Sequence, residues 1–117
     1  NEDKKLIASV IFNRLKNKIK LQIDASTIFA ITKGEYKFDR ELSFNDLSIK
    51  DQYNTYHIQG LPPLPICFVG RKTIEIVLEN YNSDYLFYFY NDILKQHIFS
   101  KSFIEHKKKL DIYRSNQ

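Results

Sequence analysis

The amino-acid sequence predicts an α+β fold, with residues 1–117 forming one mostly helical domain that carries a small antiparallel sheet. Three observations predict it. Apolar residues recur at helical spacing in several segments, whereas one aromatic-rich segment is typical of a covered strand. A length of 117 residues allows one hydrophobic core but not two. The 43% hydrophobic and 15% aromatic content excludes a disordered chain.

The first helix is predicted over residues 4–19, KKLIASVIFNRLKNKI. One stripe of this helix is apolar and consists of Ile7, Ile11, Leu15 and Ile19. Arg14 lies inside the same apolar arc, where an arginine must either extend towards water or meet a negative partner. We therefore expect a charge-assisted contact between Arg14 and a carboxylate, with Asp24 as first choice, or between Arg14 and helix-end carbonyl groups.

The second helix is predicted within DASTIFAITKG, residues 24–34. Asp24 stands where an N-cap residue is expected, and Gly34 stands where a helix ends. The following residues, 35–52, are polar and mixed, and only a short helical turn over 43–49 is expected there.

The second half of the chain is predicted to hold a helix, a hairpin and a last helix. Residues 71–81 keep the i, i+3, i+4 spacing of a third helix. Residues 84–91 indicate a strand, and residues 95–100 indicate its antiparallel partner across an Asn91–Asp92 turn.

The last helix is predicted to begin after Ser102, which forms a capping-box pattern with Glu105. One face of this helix consists of Phe103, His106, Leu110 and Tyr113. A histidine on an apolar face is more often a core residue than a catalyst, so His106 is predicted to be structural.

Composition narrows the function classes. The net charge of +4 favours an acidic partner in general terms: nucleic acid, anionic lipid or an anionic wall polymer. The basic residues are dispersed except for the run 107–109, which lacks interleaved aromatic residues, so no nucleic-acid partner is predicted. No apolar run approaches the roughly 20 residues that cross a bilayer, and no signal-peptide pattern is present. The single Cys67 excludes an internal disulfide and is expected to be a small buried hydrophobe.

Metal and nucleophile patterns are absent from the sequence. The three histidines lack ligand spacing, Cys67 has no CxxC partner, and no glycine-rich phosphate loop is present. We therefore predict no metal and no cofactor.

A proline-rich loop stands out, YNTYHIQGLPPLPICFVG at residues 53–70, because it holds all three prolines of the chain. Tyrosine, asparagine and threonine side chains suit carbohydrate, since flat rings pack on sugar faces and amide and hydroxyl groups bind sugar hydroxyls. Prolines at 62, 63 and 65 would hold such side chains in place. The alternative is a loop whose aromatic residues simply pack on the core.

Several short motifs follow one another in a specific order. They are IASVIFNRL (7–15), LQIDAST (21–27), YNTYHIQGLPPLPIC (53–67), DYLFYF (84–89), HIFS (97–100) and EH (105–106). This series resembles the MltG, or YceG-like, family of endolytic murein transglycosylases over nearly the whole chain, and YNTY followed by GLPP is its most specific part. The chain departs from the family pattern at Ile23, Ala25, Leu64 and Phe68–Val69. The loop conformation near Leu64 and Phe68 is therefore expected to differ from relatives.

The resemblance implies an endolytic lytic transglycosylase that cleaves MurNAc–GlcNAc bonds within peptidoglycan strands and leaves 1,6-anhydroMurNAc ends. It places the catalytic glutamate upstream of Asn1, so no catalytic residue is assigned within the chain. Since the sequence also lacks methionine, we expect a fragment of the catalytic domain. This fragment would form part of a lysozyme-like cleft that a preceding segment completes, and would be inactive alone. The alternative is a non-catalytic peptidoglycan-binding module.

The expected location is extracytoplasmic, at the periplasmic face of the inner membrane. The resemblance implies that the parent protein is anchored through a segment outside this chain and contacts the cell-wall synthesis machinery. Its partner would be the peptidoglycan glycan strand.

The substrate-binding residues that the resemblance suggests are Gln22, Asp24, Ser26, Tyr53, Asn54, Thr55 and Tyr56. Asp24 either has a structural role, as N-cap or as partner of Arg14, or orients the sugar and stabilises positive charge at the anomeric carbon. Gln22 and Ser26 either donate to an N-acetyl carbonyl or bond the nearby backbone. The four residues of YNTY either contact glycan or pack on the core.

Overall fold

The structure is a computed structural model that describes residues 2–117. This part of the chain contains five helices and one two-stranded antiparallel sheet, so the predicted α+β class is confirmed. In chain order the elements are α1 (Glu2–Lys16), α2 (Asp24–Thr32), α3 (Phe44–Leu47), α4 (Arg71–Leu78), β1 (Phe87–Asn91), β2 (Gln96–Ser100) and α5 (Phe103–Ser115). No helix within residues 2–117 combines the length and the apolar character that crossing a membrane requires.

The chain forms two compact units. The terminal unit consists of the residues up to Asn13 together with Val69–Gln117, and the central unit consists of Arg14–Phe68. The buried apolar side chains of the two units are Val10, Phe99, Leu21 and Ala30. Several polar side chains are buried just as deeply. The fold is stable only if these polar groups find hydrogen-bond partners inside the protein.

Helix α1 ends at Lys16, before the predicted end at Ile19, because the chain reverses through Lys18 in the left-handed region with a φ of 57°. The Ile19 N–H donates to the Arg14 carbonyl at 2.9 Å, and the Lys18 N–H donates to the Leu15 carbonyl at 3.2 Å. These two bonds form a Schellman motif, which satisfies the last carbonyl groups of a helix. A lysine at the left-handed position gives no sequence signal for this ending.

Helix α2 begins one residue earlier than predicted. Its N-cap is Ile23, which makes no side-chain capping bond, so the expectation that Asp24 is the N-cap was wrong. Asp24 instead lies in the first turn, where the helix dipole favours a negative charge. At the other end the Lys33 N–H donates to the Phe29 carbonyl in a left-handed turn, and Gly34 follows with a φ of 75°.

Helix α3 is a single turn fixed by a capping box. The Ser43 N–H donates to Asp46 Oδ2 at 2.8 Å, and the Asp46 N–H donates to Ser43 Oγ at 3.2 Å. Arg40 holds the same carboxylate through two bonds of 2.6 and 3.1 Å, and its guanidinium lies 4.6 Å from the centre of the Phe38 ring. The Arg40 guanidinium, followed by the Ser43 N–H, holds the pKa of Asp46 well below its usual range.

This depressed pKa makes stability depend on pH. A carboxyl whose pKa is lower in the folded state stabilises the fold above its unfolded pKa of about 3.9, and that contribution is lost as the pH falls below this value. We expect the Asp46→Asn variant to be less stable than the parent at pH 7 and to lose less further stability on acidification. Urea unfolding at several acidic pH values measures this difference.

The control for Asp46 is Asp39→Asn, an exposed aspartate in the same segment. Other carboxyl groups whose pKa is lowered, such as Asp51 beside Lys33, keep some acid sensitivity in both variants. Equal acid sensitivity of the parent and Asp46→Asn would show that the Arg40 pair does not stabilise the fold.

In the terminal unit, β1 and β2 pair antiparallel, with Phe87 opposite Ser100 and Asn91 opposite Gln96. Strand β1 begins at Phe87, later than predicted, because its partner strand ends at Ser100, which stands opposite Phe87. The Leu86 N–H still donates to the Ser100 carbonyl at 3.0 Å. The connecting turn, residues 92–95, is ordered by Asn91, whose Oδ1 accepts two N–H groups of the turn. The predicted hairpin is therefore confirmed, with a longer turn than Asn91–Asp92 alone.

Helix α5 packs on this hairpin. Ser102 is its N-cap, as predicted, and its Oγ accepts the Glu105 N–H at 3.2 Å. The His106 ring stacks on Phe87 with centroids 5.1 Å apart. His106 thus packs among aromatic rings of the unit, which is the structural role predicted for it.

Helix α4 ends at Leu78, before residue 81, because Asn80 adopts a left-handed φ of 52°. Asparagine is the residue that tolerates this conformation best after glycine. The predicted helix is therefore confirmed with a shorter end.

Polar side chains of α1 fasten it to other segments of the terminal unit. Asn13 Nδ2 donates to the carbonyls of Ser83 and Tyr85 at 2.7 and 2.8 Å. Near the start of the helix, Asp3 Oδ2 lies 2.9 Å from His97 Nδ1 and also accepts the His97 N–H. The hydrogen bonds with His97 lower the pKa of Asp3.

Cys67 is exposed, so the expectation of a buried cysteine was wrong. Its neighbour Phe68 is fully exposed as well. The physical reason is local: residues 61–69 form no helix or strand that could turn one face of the chain towards a core. The small size of cysteine predicted burial, but the path of this loop over the surface decides its exposure.

Candidate functional site

Two of the sequence motifs, residues 21–27 and 53–56, meet in the central unit. The Gln22 N–H donates to the Thr55 carbonyl at 3.2 Å, and the Ile23 N–H donates to Thr55 Oγ1 at 2.8 Å. Thr55 Oγ1 also lies 2.6 Å from Ser26 Oγ. Segments about thirty residues apart in sequence therefore form one hydrogen-bonded unit, called the motif junction below.

The backbone at Gln22 is in the left-handed region, with a φ of 51°. Such a conformation is uncommon for a residue other than glycine and persists only where surrounding contacts hold it. Here the bonds from Gln22 and Ile23 to Thr55 provide that support. The Gln22 residue itself is exposed and lies beside the junction.

Asn54 is fully buried, with a relative exposure of 0%. Its Nδ2 donates to the carbonyls of Leu47 and Ile49 at 2.9 and 2.8 Å. Its Oδ1 accepts the Thr27 hydroxyl at 2.8 Å and the Tyr56 N–H at 3.1 Å. All four hydrogen-bonding positions of the amide are thereby used, so it is not available to a ligand in this conformation.

Ser26 and Thr55 are also buried, with relative exposures of 2% and 1%. Their hydroxyl groups bond each other and the surrounding backbone: Ser26 Oγ donates to the Ile23 carbonyl at 2.7 Å and accepts the Thr55 N–H at 3.1 Å. Together with Asn54 they hold the motif junction. Ser26 thus makes the backbone bonds that were one of its two expected roles.

The tyrosines of YNTY differ in their contacts. Tyr53 packs against Phe29 of α2 with ring centroids 4.9 Å apart, and its N–H donates to Asp51 Oδ1. Tyr56 is half-buried, and its hydroxyl donates to Asp24 Oδ1 at 2.9 Å. Asp24 is exposed, so the Tyr56–Asp24 pair brings both motifs to the surface.

Arg14 supports the same junction from the end of α1. Its side chain is buried, and Nη1 donates to the Lys20 carbonyl at 2.8 Å and to the Leu21 carbonyl at 3.4 Å. These acceptors belong to the segment that joins α1 to α2, directly before Gln22. Backbone carbonyl groups were one of the two kinds of partner expected for Arg14, and these two bonds are of that kind.

An open pocket of about 390 Å³ lies beside the Tyr56–Asp24 pair. Its lining residues are Asp24, Ile28, Arg40, Glu41 and Leu42. The sequence did not single out Arg40, Glu41 or Leu42, which lie in a segment interpreted only as polar. The available signal was the Ser43-x-x-Asp46 spacing, because a capping box fixes the chain that leads into it.

In the part of the chain that the structure describes, four carboxyl groups, two of them in the central unit, have a shifted pKa. Wherever a carboxyl pKa is shifted, in Asp3, Asp46, Asp51 and Glu105, hydrogen bonds lower it. A general acid needs the opposite shift, so none of these four groups has the character of a proton donor at neutral pH. Within residues 2–117, no three His, Cys, Asp or Glu side chains lie together as a metal site would require.

Comparison with known proteins gives concordant matches. Residues 1–111 match the model of the YceG-like family. A protein of Bacillus subtilis (strain 168), named endolytic murein transglycosylase, is 40% identical over 115 residues, which is 98% of this chain and 31% of that protein. A protein of the same name from Streptococcus pneumoniae is 33% identical over 99 residues, 84% of this chain and 18% of its own length.

A solved structure matches as well. The crystal structure of a yceG-like protein from Listeria monocytogenes aligns with a TM-score of 0.81 and 40% identity, covering 91% of this chain and 33% of that one. The chain thus spans about a third or less of the length of the proteins it matches. From the family match over residues 1–111 and these relatives, the chain belongs to the YceG-like family.

Proposed function

We propose that this chain forms part of the substrate cleft of an endolytic peptidoglycan lytic transglycosylase. The enzyme would cleave MurNAc–GlcNAc bonds within glycan strands and leave 1,6-anhydroMurNAc ends. Membership of the YceG-like family and the names of the relatives support the general class. The observation that carries the proposal is the motif junction, because it brings the YNTY and LQIDAST motifs together beside an open pocket.

The side chains proposed to contact glycan are those with accessible groups at the junction: Gln22, Asp24, Tyr53 and Tyr56. Tyr56 and Asp24 offer a hydroxyl and a carboxylate, which together can accept and donate hydrogen bonds to sugar hydroxyls. Ser26, Asn54 and Thr55 would act indirectly, by holding these contacts in place, since they are buried and bonded within the protein.

The proposed chemistry needs one titrating carboxyl group. A glutamic acid would protonate the oxygen of the leaving sugar, which requires a raised pKa. The resulting carboxylate would take the proton of the muramic 6-hydroxyl as that oxygen attacks the anomeric carbon, which closes the anhydro ring without water. Glycosidases of the ordinary kind use two carboxyl groups instead.

We propose that this glutamate lies outside residues 1–117. The support from the structure is that the four carboxyl groups with shifted pKa values are shifted downwards, away from what an acid catalyst needs. Residues 1–117 alone would then act as a non-catalytic peptidoglycan-binding module. In the cell the parent protein would work outside the cytoplasm, at the periplasmic face of the inner membrane. The parent protein would be held at the membrane by an anchor outside this chain and would contact the cell-wall synthesis machinery.

The test is digestion of purified murein by the complete gene product and by residues 1–117, with the products analysed by mass spectrometry. We expect anhydro-ended fragments from the complete protein and none from residues 1–117, which should nevertheless bind peptide-free glycan strands. Reducing-end products from the complete protein would make it a hydrolase. Anhydro products from residues 1–117 would place the acid inside this chain.

Two variants test the cleft itself. Tyr56→Phe and Asp24→Asn keep the size of each side chain, and each should weaken glycan binding by about three- to ten-fold, the scale of one lost hydrogen bond. Tyr36→Phe is the matched control, because Tyr36 is an exposed tyrosine of the same unit outside the pocket. Unchanged affinity in both cleft variants would mean that the Tyr56–Asp24 pair does not touch glycan.

A further inference from the structure

The pocket that Asp24 lines differs in chemistry from the Tyr56–Asp24 pair beside it. We propose that it binds an alkylammonium group, supplied by the diamino acid in the peptide stem of a murein strand. This inference rests on the proposed function and extends it from the glycan to the peptide that the glycan carries. The residue that would decide it is Glu41, which the family resemblance did not point to.

The charge of the pocket is negative once its ion pair is accounted for. Arg40 is the single basic residue among the five lining residues, and its guanidinium is engaged by the Asp46 carboxylate through two hydrogen bonds. Two carboxylates of the lining remain, Asp24 and Glu41. Glu41 is exposed, and within residues 2–117 its carboxylate makes no hydrogen bond or ion pair.

The rest of the lining favours a flexible cationic chain over a sugar or an anion. Ile28 and Leu42 supply aliphatic surface, against which the methylene groups of an amine side chain can pack. No aromatic ring lines the pocket, whereas sugar rings bind best against flat aromatic faces. An anion would meet Glu41 and Asp24 with no free guanidinium to pair with.

The wall that carries Glu41 is held in place. Its neighbour Arg40 is fixed by the Asp46 carboxylate and by its position over the Phe38 ring, and Asp46 is fixed in turn by the capping box with Ser43. The backbone of Glu41 itself accepts a bond from Arg40 Nη1 at 3.2 Å. A site whose walls are already ordered loses less freedom when a ligand binds.

The position of the pocket fits a strand that carries peptides. Asp24 belongs to both the pocket and the Tyr56–Asp24 pair, so one carboxylate borders both proposed contacts. A glycan held at Tyr56 would thus place a neighbouring peptide stem within reach of Glu41. Recognition of both parts would let the protein distinguish strands that carry intact stems from bare glycan.

The experiment compares two probes on the full chain: a murein fragment whose stem amine is free and the same fragment with that amine acetylated. We expect the parent chain to bind the free amine about three- to five-fold more tightly, the scale of a partly exposed charge contact. Glu41→Gln should reduce this preference, since only Asp24 then carries a negative charge in the lining, and should leave the affinity for the acetylated fragment unchanged. The preference should also shrink as salt is raised, because salt screens exposed charges.

Glu35→Gln is the matched control, since Glu35 is an exposed glutamate just ahead of the same segment and is not in the pocket lining. Equal binding of the two fragments by the parent chain, or an undiminished preference in Glu41→Gln, would overturn the inference. Binding of peptide-free glycan strands distinguishes a failure of this inference from a failure of the proposed function. If they bind, only the stem recognition is wrong; if neither they nor the fragments bind, the proposed function fails too.

Discussion

The Asn54→Ala variant is expected to lose about 3–5 kcal/mol of unfolding free energy, enough to unfold a marginal domain. The substitution leaves four buried or half-buried groups without this partner: the carbonyls of Leu47 and Ile49, the Thr27 hydroxyl and the Tyr56 N–H. Each unsatisfied buried group costs about 1–3 kcal/mol, less where water can enter or the chain relaxes. Urea unfolding followed by circular dichroism measures the loss.

Asn45→Ala is the matched control, because Asn45 is exposed and lies close by in the same unit. Its loss should stay within about 0.5 kcal/mol, as for most surface changes. A similarly small loss in Asn54→Ala would mean that its four hydrogen bonds contribute little. The sequence left open whether the YNTY residues contact glycan or pack on the core, so this experiment also decides between these two roles for Asn54.

The elements of the fold were predictable from the sequence because their signals are local. The Ser102 cap, the apolar period of α4 and the paired strands each depend on residues a few positions apart. The ends of α1 and α4 were not predictable in the same way. Lys18 and Asn80 adopt left-handed conformations there. Lysine gives no signal for such a position, and asparagine gives a weaker one than glycine.

The site was predictable only in part. The motif resemblance named Asp24 and Tyr56, whose side chains do meet, although nothing in the sequence states that they are 2.9 Å apart. It could not show that Asn54 is buried, because burial depends on how distant segments pack. Glu41 was missed altogether: it belongs to no motif, and it becomes interesting only through the pocket that it shares with Asp24.

Arg14→Ala is expected to cost about 2–4 kcal/mol of stability, the scale for losing hydrogen bonds from a buried charged group together with the packing of its stem. The guanidinium donates to the Lys20 and Leu21 carbonyls, and the Leu21 residue is itself buried. Its loss leaves those carbonyl groups without this donor and removes the packing of the aliphatic stem. The measurement is again the free energy of unfolding in urea.

Two further variants separate the causes of that loss. Arg14→Lys keeps a positive charge but not the planar donor group, so its free energy of unfolding should lie between those of the parent and Arg14→Ala. Lys16→Ala changes an exposed cation in the same helix and should have little effect. A loss below about 0.5 kcal/mol in Arg14→Ala would show that its side chain is effectively solvated.

The same variant should also weaken the site, because Arg14 fixes the segment that leads into the left-handed residue Gln22. That conformation carries strain, which the bonds from Gln22 and Ile23 to Thr55 must balance. With the segment released, the backbone at Gln22 can relax and the motif junction loosens. Glycan affinity should therefore fall in Arg14→Ala even at temperatures where the variant remains folded. Unchanged glycan affinity in the folded variant would show that Arg14 contributes to stability and not to the site.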